Sequence, residues 1–275
     1  MSYRTVHLLL NVDEEPRADA AIDYAVEFAR REVAHLCVTE ATQTLDLSLV
    51  QALPLAEAIV AQVNDERRAR AENIGAHIEV AARLAGVTME RAIVALSPSV
   101  TRQDIAERTR LCDLVIAARP QGVLLTGQKL IEEVLFSSGR PVLVIPPDWS
   151  GGLALDHVVI AWDGGAKAAR AVGDALPLLE KAGDIEAICV TGDPEDTRAA
   201  DLARHLSRHC PRVSATNLPY IGADAGRTIL RHARSSPVNL VVMGAYAHSR
   251  LVELVVGGAT ALMLNEARVP VLYSF

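Results

Sequence analysis

The sequence predicts an α/β protein of two tandem domains, each built around a doubly wound parallel sheet of five strands. Short apolar runs alternate with helical stretches along all 275 residues, and strand–helix alternation with right-handed crossovers gives a parallel sheet. The whole succession then occurs a second time. Hydrophobic residues make up 50% of the chain and aromatic residues only 4%, as is typical of a parallel sheet covered by Ala-rich helices.

The internal repeat appears when Asp13 is aligned with Asp163. Strand then falls on strand and helix on helix, and each half reads Cys-Val-Thr further on, at 37–39 and 189–191. A period this long indicates duplication of a domain rather than a solenoid of short repeats. Proline and glycine crowd at 146–152, where neither continues a strand or helix well. We therefore predict domains at 1–147 and 153–275.

Each half is predicted to hold five strands and four helices. In the first half the strands lie near 5–12, 34–38, 89–96, 114–117 and 142–145, and the helices near 17–32, 54–85, 99–110 and 128–138. In the second half the strands lie near 157–162, 185–190, 213–218, 240–243 and 269–273, and the helices near 166–182, 195–208, 224–235 and 258–267.

Charge and composition exclude some classes of function. The net charge of −7 and pI of about 5.6 argue against nucleic-acid binding, which needs a basic face. No apolar stretch approaches the roughly 18 residues of a membrane span, and the start MSYRTVHLLLNVDEEP does not read as a signal peptide. We expect a soluble cytoplasmic protein with no membrane partner.

The cysteines and histidines show no ligand spacing in the sequence. Cys37 and Cys189 lie in strand-like runs and are expected to be buried, reduced thiols. His205 and His209 stand one helical turn apart, but no third ligand is near them in sequence. We therefore expect no metal site.

A run of small residues near the end of the chain indicates a phosphate-binding loop. The strand near 240–243 ends at Gly244, Ala247 follows three residues later, and Gly257 and Gly258 precede a helix. Such residues let the backbone approach an anion, and the free N–H groups of a helix N-terminus favour phosphate. The alternative is that these glycines only permit turns and tight helix packing.

This stretch resembles the nucleotide loop of the universal stress protein family, Gly-x2-Gly-x9-Gly-Ser/Thr. Gly244 and Gly257 match the first and third glycines, while Ala247 and Gly258 replace the second glycine and the Ser/Thr. With the repeat, the resemblance covers nearly the whole chain as a tandem member. It implies strand order 3-2-1-4-5 in each half, a fold like that of the adenine nucleotide α-hydrolases, and binding of ATP or a related adenine nucleotide.

The resemblance adds two residues from neighbouring strand ends to the site. Asp163 would face the ribose or adenine, and Val190 would present its backbone to adenine. A carboxylate at the carboxyl end of a strand suits a ribose hydroxyl. The alternative for Asp163 is a helix N-cap or turn residue, and both readings stay open.

Only the second half is expected to bind nucleotide. Asp13 is followed by Glu14 and Glu15, whose charges would repel a triphosphate, whereas Asp163 is followed by Gly-Gly-Ala-Lys. In the first half Ala118 stands at the first glycine of the loop, and the later spacing is not kept.

Two hypotheses for function remain. The first is a stress-response or signalling protein that binds adenine nucleotide in the second half. The second is an interaction module of the same fold that binds no nucleotide and acts through an unknown protein partner. No G-x-S-x-G elbow or Walker A sequence occurs, so we name no catalytic residue and leave only slow ATP hydrolysis open. The resemblance implies that the fifth strands, Val142–Ile145 and Val269–Tyr273, pair within the chain as a pseudo-dimer; a homodimer of chains stays open.

Overall fold

A computed structural model of the chain describes residues 2–13, 18–47, 55–97, 99–120, 126–222, 224–245 and 258–275. Two of the predicted site residues, Ala247 and Gly257, lie outside the described residues, as do Glu14 and Glu15.

The predicted alternation of strands and helices is confirmed in both halves. The first half contains β1 (Thr5–Asn11), α1 (Asp19–Glu32), β2 (His35–Gln43), α2 (Ala56–Leu84), β3 (Met89–Leu96), α3 (Arg102–Arg108), β4 (Leu114–Ala118), α4 (Thr126–Ser137) and β5 (Val142–Ile145). The second half contains β6 (His157–Ala161), α5 (Ala166–Leu179), β7 (Asp184–Val190), α6 (Arg198–Leu206), β8 (Val213–Leu218), α7 (Ala225–Ser235), β9 (Leu240–Gly244), α8 (Ala259–Glu266) and β10 (Val271–Ser274).

The ten strands of the described residues form one continuous sheet, in the order β3-β2-β1-β4-β5-β10-β9-β6-β7-β8. Each half therefore has the order 3-2-1-4-5, as predicted. The halves join through β5 and β10, which pair antiparallel with Leu143 opposite Leu272, so the fifth strands pair within the chain as expected. They form one ten-stranded sheet instead of two separate sheets. The domain boundaries at 147 and 153 stay a prediction.

The central strands of the sheet are buried on both faces, which explains why they read as nearly continuous apolar runs. Leu8 and Leu36 point into the core on one face, together with Phe28 of α1. Leu9 and Val115 point into the core on the other face.

Contacts beyond the β5–β10 pair also tie the two halves together. The Tyr3 hydroxyl donates to the Asp174 carbonyl at 2.6 Å, and Lys181 Nζ donates to Glu32 Oε1 at 2.6 Å. From the loop after β4, Arg119 Nη1 donates at 2.6 Å to the carbonyl of Asn265, near the C-terminus of α8. A cation suits the carboxyl end of a helix, so this contact stabilises the junction.

A polar cluster lies where α7 covers β7. Glu186 accepts a hydrogen bond from Thr216 Oγ1 at 2.6 Å, and its other oxygen lies 2.8 Å from His232 Nε2 and 3.6 Å from His157 Nε2. Burial raises the pKa of Glu186, but the hydrogen bonds from Thr216 and His232 outweigh it and hold the pKa below its ordinary value.

Among the described residues, no helix combines the length and the apolar character that a membrane crossing requires.

Candidate functional site

The predicted site residues follow strands that meet at a switch in strand order. β6 pairs with β7 on one side and with β9 on the other, so that Ala161 is opposite both Ile188 and Met243. The chain leaves β6 towards β7 and returns on the opposite side as β9. In open α/β sheets, ligands bind outside the carboxyl ends of the strands at such a switch point.

Three of the predicted residues come to this edge. Asp163 lies two residues after β6, Val190 is the last residue of β7, and Gly244 is the last residue of β9. Gly258 is the N-cap of α8, the helix that runs back to β10. Since β9 and β10 are parallel, α8 starts on the side of the same edge. The other two, Ala247 and Gly257, are not described.

Asp163 forms a tight turn at the start of α5. Its Oδ1 accepts a hydrogen bond from the Gly165 amide at 2.7 Å, and Gly164 between them has φ +80°, a conformation that favours glycine. The reading of Asp163 as an N-cap is wrong in detail, because Gly165 is the N-cap. The turn reading holds, and the Asp163 residue is exposed, so a ligand can still reach its carboxylate.

The equivalent carboxylate in the first half is used differently. Asp13 Oδ1 accepts from Thr42 Oγ1 at 2.9 Å, and Oδ2 accepts from the Gln43 amide at 2.5 Å. Arg67 Nε of α2 lies 3.8 Å from Oδ1. Asp13 thus holds the end of β2 by hydrogen bonds. This explains why β2 ends at Gln43, whereas the sequence predicted an end at residue 38.

Arg198 is a residue of the site edge that the sequence reasoning missed. Its Nη1 donates to the Asp163 carbonyl at 2.7 Å, while Nε and Nη2 bind the carboxylate of Asp196 at 3.0 and 2.5 Å. The hydrogen bonds from Arg198 hold the pKa of Asp196 well below its usual range. A cation is therefore fixed over the Asp163 turn. No motif points to Arg198, since it comes from a helix 35 residues away along the chain.

Lys167, the cation that follows the glycines after Asp163, contacts the junction between the halves. Its Nζ lies 3.7 Å from the centroid of the Phe275 ring, a cation–π distance. The Phe275 ring in turn meets Phe136 of α4 edge-on, with centroids 4.6 Å apart. The terminal residue thus connects the start of α5 with the first half.

Close packing accounts for Gly244 without a ligand. A Cβ at this position would lie 2.6 Å from the Ala168 amide nitrogen and 2.7 Å from the Lys167 carbonyl carbon. β9 therefore approaches the first turn of α5 more closely than any side chain allows. For Gly244, the packing alternative raised from the sequence is sufficient. Gly258, with φ −71°, has no side chain that could cap the start of α8.

Three of the four thiols are buried. Cys112, Cys189 and Cys210 are buried as free cysteines, as expected for Cys189, but Cys37 is only partly buried. Burial raises the pKa of Cys112 to about 12, and burial together with the neighbouring Glu90 raises that of Cys37 to about 12, so without a bound cation both are thiols at neutral pH.

No protein-family model matches the chain. Over 147 residues the chain is 26% identical to a universal stress protein of Synechocystis, a match that covers 52% of this chain and 49% of that protein. The matched region thus spans about half the length of this curated relative.

Solved structures match the chain over its full length. A universal stress protein from Archaeoglobus fulgidus has a TM-score of 0.71 at 18% identity, covering 98% of this chain and 95% of that one. A functionally unknown protein from Pseudomonas aeruginosa has a TM-score of 0.60 at 15% identity, covering 99% and 92%. These structures establish the fold of both halves. Both halves thus have the fold of the universal stress proteins, and the chain is similar in sequence to one member of that family over 147 residues.

Proposed function

We propose that the chain is a stress-response or signalling protein that binds one molecule of ATP, or of a related adenine nucleotide, in its second half. The observation that carries the proposal is the difference between the two equivalent aspartates. Both carboxylate oxygens of Asp13 accept hydrogen bonds from residues at the end of β2. Asp163 is exposed at the strand-order switch and uses Oδ1 for its own turn. An exposed carboxylate at this edge suits a ribose hydroxyl or an adenine amine.

Two helix N-termini support an anionic ligand on the same side. α5 begins at Gly165 and α8 at Gly258, and neither N-cap residue has a side chain that could satisfy the first N–H groups. Helix N-termini attract phosphate through these groups and through the helix dipole. In the proposal, α8 meets the phosphates, while Val190 offers its backbone to adenine. Ala247 and Gly257, which lie outside the described residues, would complete the phosphate contacts in this proposal.

Arg198 adds a cation to the proposed site. Its guanidinium is held by Asp196, so the net charge it offers a phosphate is reduced, but its Nη1 is already aimed at the Asp163 turn. We infer a contact with the nucleotide's ribose–phosphate region. The proposal includes no general base, so it is one of binding and not of turnover.

The second candidate function is an interaction module that binds no nucleotide. The packing of Gly244 against α5 favours it, because this glycine is explained without a ligand. The cation–π contact between Lys167 and Phe275 also favours this second function, since it holds the Lys167 ammonium at the junction between the two halves. In this case the partner is a protein, and a strand of that partner could pair with the exposed edge strands β3 or β8. In either case we place the protein in the cytoplasm, where four free cysteines stay reduced.

The experiment is mass spectrometry of the small molecules released when freshly purified protein is denatured. The proposal predicts an adenine nucleotide at no more than one per chain. A preparation that releases none, and that binds none when ATP is added back, would leave the interaction module as the function.

A further inference from the structure

A group of three metal-ligating side chains lies far from the Asp163 turn, at the start of β2 and β3. His35 and Cys37 are two residues apart on β2 and so share one face of the sheet. Glu90 lies directly opposite Cys37 on β3. One ligand atom from each of these three side chains lies within 4.8 Å of the others. We call these three residues the His35–Cys37–Glu90 cluster.

The spacing within the cluster fits a tetrahedral ion. Cys37 Sγ lies 3.3 Å from Glu90 Oε1. Zinc bonds of about 2.3 Å to sulfur and about 2.1 Å to oxygen would place these two atoms about 3.6 Å apart. The Cys37–Glu90 pair, now joined by a hydrogen bond from the thiol, is thus close to the separation that a metal needs, and the histidine lies within 4.8 Å of both.

The surroundings of His35 fit as well. Its Nδ1 lies 3.1 Å from Thr88 Oγ1, and a hydrogen bond from the second ring nitrogen to a protein oxygen is the usual way in which a metal-bound histidine is oriented. If Nδ1 keeps this hydrogen bond, Nε2 is the nitrogen left to bind an ion. Glu90 is exposed, while His35 and Cys37 are half-buried, so an ion can enter from solvent.

We propose that the His35–Cys37–Glu90 cluster binds one zinc ion, with a water molecule as the fourth ligand. The combination of imidazole, thiolate and carboxylate selects zinc over the harder cations magnesium and calcium, which prefer oxygen alone. The ion would cross-link β2 to the edge strand β3. The site differs from our expectation of no metal, which considered only spacing along the sequence.

Cobalt is a direct probe, because a thiolate bound to Co²⁺ gives a near-ultraviolet charge-transfer band. The chain is first freed of metal with a chelator under reducing conditions and then titrated with CoCl₂. The proposal predicts one Co²⁺ per chain with this band, and displacement of the band by an equivalent of ZnCl₂. Glu90→Gln changes an exposed side chain and should fold normally, yet we expect it to weaken Co²⁺ binding at least tenfold. Cys37→Ser should abolish the band.

The rings of His205, on α6, and of His209, in the turn after it, have centroids 5.4 Å apart and provide the matched control. His209→Ala breaks up this closely spaced histidine pair outside the cluster and should leave the band and the stoichiometry unchanged. A titration without a thiolate band would overturn the proposal. So would Glu90→Gln binding as tightly as wild type, or loss of the band in His209→Ala. As a second readout, zinc should raise the melting temperature of wild type but not that of Glu90→Gln.

Discussion

Gly244→Ala should lower the stability of the protein because β9 and α5 leave no room for a methyl group. The added Cβ would lie 2.6 Å from the Ala168 nitrogen, whereas ordinary contacts begin at 3.4 Å, so the backbone must move by about 0.8 Å. Both neighbours are backbone atoms of a helix and cannot rotate away. Overpacking of this kind costs about 1–3 kcal/mol.

The same substitution at Gly173 is the matched control. Gly173 lies within α5 itself, and nothing lies within 4 Å of the Cβ that alanine would add. Alanine there removes a helix-destabilising glycine and should raise stability by about 0.5–1 kcal/mol. Identical changes at two positions are thus expected to have opposite signs.

Thermal unfolding followed by circular dichroism measures the difference. In a chain of this size each kcal/mol corresponds to about 2–4 °C, so Gly244→Ala should melt roughly 2–12 °C below wild type, and Gly173→Ala slightly above it. A melting temperature of Gly244→Ala equal to or above that of wild type would refute the packing argument.

Two further predictions concern the nucleotide loop and the acid range. Gly258→Ser, combined with Ala247→Gly, restores the family pattern. It should strengthen ATP binding measured by calorimetry, because a hydroxyl is added beside the phosphates. If wild type shows no detectable binding and the double variant shows none either, the site is absent. In the folded protein the pKa of Glu186 is held below its ordinary value. Ionised Glu186 therefore stabilises the folded protein fully at a pH above the ordinary value. This stabilisation is lost as the pH falls through the ordinary value and then through the lower pKa of the folded state. The urea midpoint of unfolding should therefore fall less steeply below about pH 4.5 in Glu186→Gln than in wild type. In the control Glu195→Gln, which changes an exposed side chain, the fall should be as steep as in wild type. Equal slopes in the two variants would contradict this.

The sequence predicted the fold well because its strong signals are local. Apolar runs and helical stretches are set by neighbouring residues, and the internal repeat then gave the number of strands in each half. The end of β2 was missed because its polar residues are held by Asp13, a contact between residues 29 and 30 positions apart. Composition alone does not reveal such a pairing.

The site was predicted only as far as strand ends could be located. Asp163, Val190 and Gly244 come to one edge because each follows or ends a recognisable strand. Arg198 reaches that edge through a side-chain direction that no pattern encodes. The His35–Cys37–Glu90 cluster was missed for a similar reason, since Cys37 and Glu90 are 53 residues apart and meet only through the register of β2 and β3.

Calorimetric titration of the ligand-free chain with ATP tests the central claim most directly, with Asp163→Ala and Asp13→Ala as the paired variants. We expect one site per chain in wild type, at least tenfold weaker binding in Asp163→Ala, equivalent to about 1.4 kcal/mol, and wild-type affinity in Asp13→Ala. Two equivalent sites per chain, or an affinity that Asp163→Ala leaves unchanged, would contradict a single nucleotide site in the second half.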